Sequence, residues 1–215
     1  MKMHTASTAL WLAALVAAPA HAIGITDAAN DYLPSFTGST AGDLDVLSSF
    51  VTYNPDSDTF FFSGTFAAPV GTTAGGFYVW GLDRGTGTER FNTGNAPTGA
   101  GVKFDSVVIF RLDGTATVNL FGPPATVTAG AVSFAGNTIS GSISGSLLPG
   151  AGLAKTAYTW NLWPRDGAVA GNAAISDFAP DHSNAPVVAV PEPQTYALLG
   201  LGLGAVAWAA RRRKA

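Results

Sequence analysis

The 215-residue chain contains no cysteine, which removes disulfide staples, thiol nucleophiles and Cys-ligated metal sites together. Histidine is nearly as scarce, with only His4, His21 and His182. A Ser-His-Asp arrangement would have to draw its base from His182 alone, and no G-x-S-x-G elbow accompanies it. Zinc, which takes three or four protein N, S or O ligands, is poorly served by such a chain. Charge is sparse at 12% of residues, and from residue 23 to 190 there are 13 acids against 6 bases, a net charge of −7. That balance repels phosphate backbones, and no basic stripe with interleaved aromatics offsets it, so nucleic acid is excluded as an expected partner. Glu and Lys, strong helix formers, are almost missing from this stretch, whereas Gly supplies 26 residues of the whole chain. The composition points to a turn-rich β protein with a single core.

Both ends depart from this pattern. At the start, Lys2 provides a positive region, residues 9–18 an apolar run, and Ala20-His21-Ala22 a small-x-small cleavage site, so residues 1–22 read as a signal peptide cut after Ala22. At the finish, Pro191-Glu192-Pro193 precedes an unbroken apolar run over 195–210 and a basic tail, Arg211, Arg212, Arg213 and Lys214. The two prolines lack backbone donors and keep the chain extended, so Glu192 is presented to a processing enzyme on a strand that neither helix nor sheet absorbs. As a helix, the 16 apolar residues would rise about 24 Å against a hydrocarbon core of roughly 30 Å. The four cations would then act as a membrane stop on the cytoplasmic side.

This ending, VPEPQTYALLGLGLGAVAWAARRRKA, resembles the PEP-CTERM sorting signal of Gram-negative bacteria. The resemblance covers about an eighth of the chain. It implies export, a transient inner-membrane anchor with the body in the periplasm, and cutting near Pro191-Glu192-Pro193 by an exosortase-type enzyme. Release to the cell surface or extracellular matrix, often linked with exopolysaccharide, would follow. The expected partners are therefore the exosortase, the inner membrane and exopolysaccharide.

The middle of the chain is punctuated by turns. After a polar lead-in over 23–42, apolar residues from Leu44 to Tyr53 and a Phe-rich run over 59–66 flank Asn54-Pro55-Asp56-Ser57-Asp58, the pattern of a hairpin. Runs over 102–112 and 115–121 flank Asp113-Gly114, a two-residue signal for a type I′ turn. Further strands are expected near Phe77-Tyr78-Val79-Trp80, over 126–134 and 138–148, and over 155–163, where Pro164 is expected to end the strand. Eight to ten short strands without a convincing amphipathic helix imply an all-β fold, an antiparallel β-sandwich or jelly-roll-like domain over 43–180. Residues 181–190 are expected as a linker, and 191–215 as the sorting signal.

Chemistry in the body rests on carboxylates and aromatics. The pairs Asp43/Asp45 and Asp56/Asp58 could converge on calcium, but turn residues bonding their own backbone are the preferred reading, so no cofactor is expected. Glu89 and Asp105 join the acids that a glycan-active enzyme could use. Trp80, Trp160 and Trp163 could form a sugar-stacking platform, with core packing as the preferred alternative. The expected function is a non-enzymatic, structural or interaction role in a surface matrix. A carbohydrate-binding module or a carboxylate-based glycan-active enzyme is the alternative.

Overall fold

The structure, a computed structural model, describes residues 24–92, 98–190, 199–204, 206, 211 and 212. The expected cleavage-site residues Ala20 and Ala22, the motif Pro191, Glu192 and Pro193, and the cations Arg213 and Lys214 lie outside the described residues.

Turn chemistry sets the first hairpin. Asn54 Oδ1 accepts the N–H groups of Asp56 and Ser57 at 2.9 and 3.2 Å, which reverses the chain between β2 (Val46–Asn54) and β3 (Thr59–Phe66). The two strands pair antiparallel, Asn54 opposite Thr59. β3 continues onto β9 (Thr138–Ser144) and β9 onto β8 (Val132–Ala135), while β1 (Ile25–Thr26) lies along the far side of β2. The second sheet has the order β11-β10-β4-β5-β6-β7, built from Ala185–Pro186, Thr159–Arg165, Phe77–Asp83, Ser106–Arg111, Ala116–Asn119 and Thr126–Thr128 respectively. The fold is therefore a sandwich of two largely antiparallel sheets.

Three local expectations are corrected. At Asp113-Gly114 the connection is longer than a two-residue turn: Gly114 N–H donates to Arg111 O at 3.2 Å and Arg111 N–H to Thr115 O at 3.0 Å. Only Gly114, at φ +82°, has a positive φ in this turn. Asp113 has a Cβ and avoids the left-handed region that a type I′ turn imposes on both central residues. Pro164 does not end its strand, because β10 continues to Arg165. Its carbonyl accepts Ser176 N–H at 3.2 Å, so its ring nitrogen faces the same side, away from β4, and no β4 ladder bond is lost. Finally, the end of the chain is not a loose linker. β11 joins β10, and β12 (Val188–Ala189) runs parallel to β2.

Between the sheets, inward-facing residues make an aromatic core of Phe60, Phe62, Phe66, Tyr78, Trp80, Phe110, Tyr158 and Trp160. Each large apolar side chain buried this way contributes about 1.5–3 kcal/mol. Phe62 meets Trp80 and Phe110 edge-on, at 5.8 and 5.9 Å between ring centres. A second, smaller cluster of Val79, Val102, Phe104, Val107, Trp163, Ile175 and Phe178 covers the outer face of the second sheet. With both faces of β4 covered, its sequence can be continuously apolar instead of alternating. Gly81 is required in this layer, because a Cβ there would lie 2.2 Å from the Trp163 ring.

Candidate functional site

Five aspartates from three distant parts of the chain converge at one end of the sandwich. Asp27 and Asp31 come from the segment after β1, Asp45 from the residue before β2, and Asp177 and Asp181 from the segment that leads into β11. They form two overlapping groups, Asp27/Asp31/Asp181 and Asp31/Asp45/Asp177. Within each, one carboxylate oxygen per residue lies within 4.8 Å of the others. Asp45 and Asp177 are both 0% exposed. One oxygen of each is held by the backbone: Asn30 N–H donates to Asp45 Oδ2 at 2.9 Å, and Val46 N–H to Asp177 Oδ2 at 3.1 Å. The other oxygen, Oδ1 in both, is buried without a hydrogen-bond partner, as are Asp27 Oδ2 and Asp31 Oδ1.

Such a group is electrostatically unfavourable on its own. Burial, followed by the neighbouring Asp31 and Asp181, pushes the Asp27 carboxyl up to about 7. Burial and then Asp27 push Asp177 up to about 8. Burial also raises Asp31, with Asp181 and Asp45 adding to it. The two ion pairs found among the described residues, Arg84–Asp105 and Lys155–Asp58, lie elsewhere. The arrangement is a set of oxygen donors suited to a hard cation.

The acid pairs singled out by sequence divide differently. Asp43 is saturated by the fold, accepting from Thr73 N–H at 2.9 Å, from Gly71 N–H and from the Tyr78 hydroxyl. Only its neighbour Asp45 reaches the five-aspartate group. Asp58 accepts from Tyr53 and Lys155 at 2.8 and 2.6 Å, while Asp56 stays exposed on the hairpin turn. Glu89 is engaged by Asn92, and Asp105 by Arg84 and Thr86. Asp27, Asp31, Asp177 and Asp181 were missed as site residues. The available signal was their spacing, two i, i+4 aspartate pairs in a chain with little charge.

Trp80, Trp160 and Trp163 are 0, 1 and 1% exposed, so the sugar-stacking platform is not formed. Trp80 and Trp160 occupy the inter-sheet core because residues at even positions of β4 and β10 face inward. Trp163 packs on the opposite face, against Phe91 at 5.2 Å and Phe104 at 4.8 Å. Beside it, Phe77, Phe91, Phe104, Phe121, Arg90 and Arg165 help to line an open groove of about 260 Å³.

At the C-terminal end, Val187 N–H donates to Tyr158 O at 2.9 Å and Val190 N–H to Tyr53 O at 3.0 Å. The body is thus laced to its chain up to Val190, immediately before Pro191. Beyond it, residues 199–204, 206, 211 and 212 are helical, and Leu199, Leu201, Leu203 and Val206 are between 51 and 72% exposed. Among the described residues no helix is long and apolar enough to cross a membrane.

These features define a β-sandwich body with an appended C-terminal signal. Residues 189–214 match the PEP-CTERM protein-sorting motif. The chain therefore carries the signal of an exported protein that is processed by an exosortase. No curated protein and no solved structure matches it.

Proposed function

We propose that the chain is a surface or extracellular-matrix protein whose β-sandwich has a non-enzymatic, structural or interaction role in exopolysaccharide-associated matrix. In this reading residues 1–22 are removed on export, residues 195–210 hold the protein in the inner membrane, and Arg211 to Lys214 stay on the cytoplasmic side. Exosortase cutting near Pro191-Glu192-Pro193 frees the body. The observation that carries the proposal is the sorting motif at 189–214, which starts as the last hydrogen bonds between body and chain end. The exposed leucines of the C-terminal helical residues support a membrane environment for that segment, since such side chains are costly in water.

Fractionation with an epitope tag placed after Ala22 tests this. Replacing Pro191-Glu192-Pro193 by three alanines should leave the protein full-length in the inner membrane while the parent appears shorter outside it. Equal release of both forms would overturn the sorting mechanism.

Carbohydrate binding by the body is the second reading. The aromatic groove beside Trp163 favours it, because Phe faces and Arg side chains can stack on and hydrogen-bond to sugar rings. A glycan panel assayed for binding and cleavage separates the three outcomes: binding supports a carbohydrate-binding module, cleavage a glycan-active enzyme, and neither the structural role.

A further inference from the structure

We propose that Asp31, Asp45 and Asp177, with Asp27 and Asp181 at the outer edge, form a calcium site that ties both ends of the folded body to the start of β2. Two oxygens each about 2.4 Å from a calcium ion can be no more than about 4.8 Å apart. The donor atoms of each aspartate group meet that limit. The decisive observation is at the inner wall, where Asp45 and Asp177 are fully buried and each keeps Oδ1 without a partner. Their Oδ2 atoms are fixed by Asn30 and Val46 N–H groups, so the two free oxygens are pre-oriented. Leaving a buried carboxylate oxygen unpaired is costly, and a bound cation removes that cost.

The chemistry selects the ion. All the donors are carboxylate oxygens, which disfavours zinc relative to its usual nitrogen and sulfur ligands. Magnesium requires near-ideal octahedral geometry and retains water, whereas calcium accepts six to eight oxygens in an irregular shell. Donors collected from three loop segments fit the second ion better than the first. Exposed Asp181 offers the entry side.

Position gives the site its consequence. Asp27 and Asp31 follow β1, and Asp177 and Asp181 precede β11 and β12, which together edge both sheets. An ion here closes the segments that bracket the body just ahead of the sorting motif. An affinity on the order of 10⁻⁴ to 10⁻³ M would suit an extracellular module.

The test uses the full chain in detergent micelles, stripped with chelator and titrated with calcium chloride in a calorimeter. Thermal melts in calcium, magnesium and chelator accompany it. Saturable calcium binding is expected, with a rise in melting temperature that chelator reverses and magnesium does not reproduce. Asp177→Asn should abolish the calcium response while melting no lower than the wild type in chelator, because its amide oxygen can still accept the Val46 N–H and it has no charge to bury. A merely structural carboxylate would show the opposite, a lower melt with the calcium response kept. Asp181→Asn, altered at an exposed position, should weaken calcium binding at least about tenfold with its chelator melt unchanged, and it decides the matter if Asp177→Asn fails to fold. No saturable calcium binding by the wild type, an equal response to magnesium, or wild-type calcium binding by Asp181→Asn would overturn the site.

Discussion

Arg84 Nε donates to Asp105 Oδ1 at 2.8 Å, and both side chains are more than nine-tenths buried at the end of β4. The same carboxylate accepts Arg84 N–H at 3.0 Å and both the N–H and hydroxyl of Thr86, at 3.1 and 3.0 Å. Arg84 also reaches Pro149 O at 2.6 Å, linking the loop after β4 to the loop after β9. Asp105, one of the acids a glycosidase could have used, is committed to holding this junction. Arg84→Ala leaves its charge buried without the guanidinium and should cost about 3–5 kcal/mol in urea unfolding. Asp105→Asn should cost less, since an amide oxygen can still accept the backbone N–H groups.

The same junction sets a pH dependence. Burial pushes the Asp105 carboxyl up, but the Thr86 and Arg84 hydrogen bonds and the Arg84 charge outweigh it and hold the group below the ordinary carboxylate range. An acid depressed in the folded state stabilises above its unfolded pKa, near 3.9, and loses that contribution as pH falls through the lower folded value. Melting temperature followed from pH 6 downward should therefore fall more steeply for the wild type than for Asp105→Asn below about pH 4. Parallel curves would show that the pair does not contribute to acid lability.

Gly81→Ala places a methyl group against the Trp163 ring on the outer face of β4. Both Trp163 and the strand beneath it are buried, so neither can move aside freely. A loss of about 1–3 kcal/mol is expected from overpacking. Tryptophan fluorescence should shift with it, which distinguishes displacement of Trp163 from a uniform loosening.

Truncation locates the end of the folded body. A chain ending at Val190 keeps β11, β12 and the Val190–Tyr53 bond, and should melt cooperatively within a few degrees of a longer form. Ending at Asn184 removes both strands, exposes the carbonyls of Tyr158 and Tyr53, and deprives Trp160 Nε1 of Pro186 O. That shorter form should lose several kcal/mol, as expected when buried donors and acceptors are left unpaired.

Local chemistry in the sequence was sufficient to determine the all-β class, the β2–β3 hairpin and the presence of a β5–β6 hairpin. Asn54 caps its own turn and Gly114 alone relieves the second one, and both effects act within a few residues. The sorting signal was equally legible, because proline, an apolar run and a basic tail need only their order along the chain to be recognised. Tertiary structure decided which side of a strand each residue faces and which distant segments meet. It placed Trp80 and Trp160 in one core and Trp163 in another, and let Pro164 continue a strand by turning its nitrogen away from β4. It also separated Asp43 from Asp45 and gathered Asp45 with Asp27, Asp31, Asp177 and Asp181. Those five residues come from three segments far apart in sequence, and their convergence depends on β1, β11 and β12 closing the edges of the sheets. No local propensity encodes that closure; it follows from burying the aromatic core between two sheets whose first and last strands must find partners.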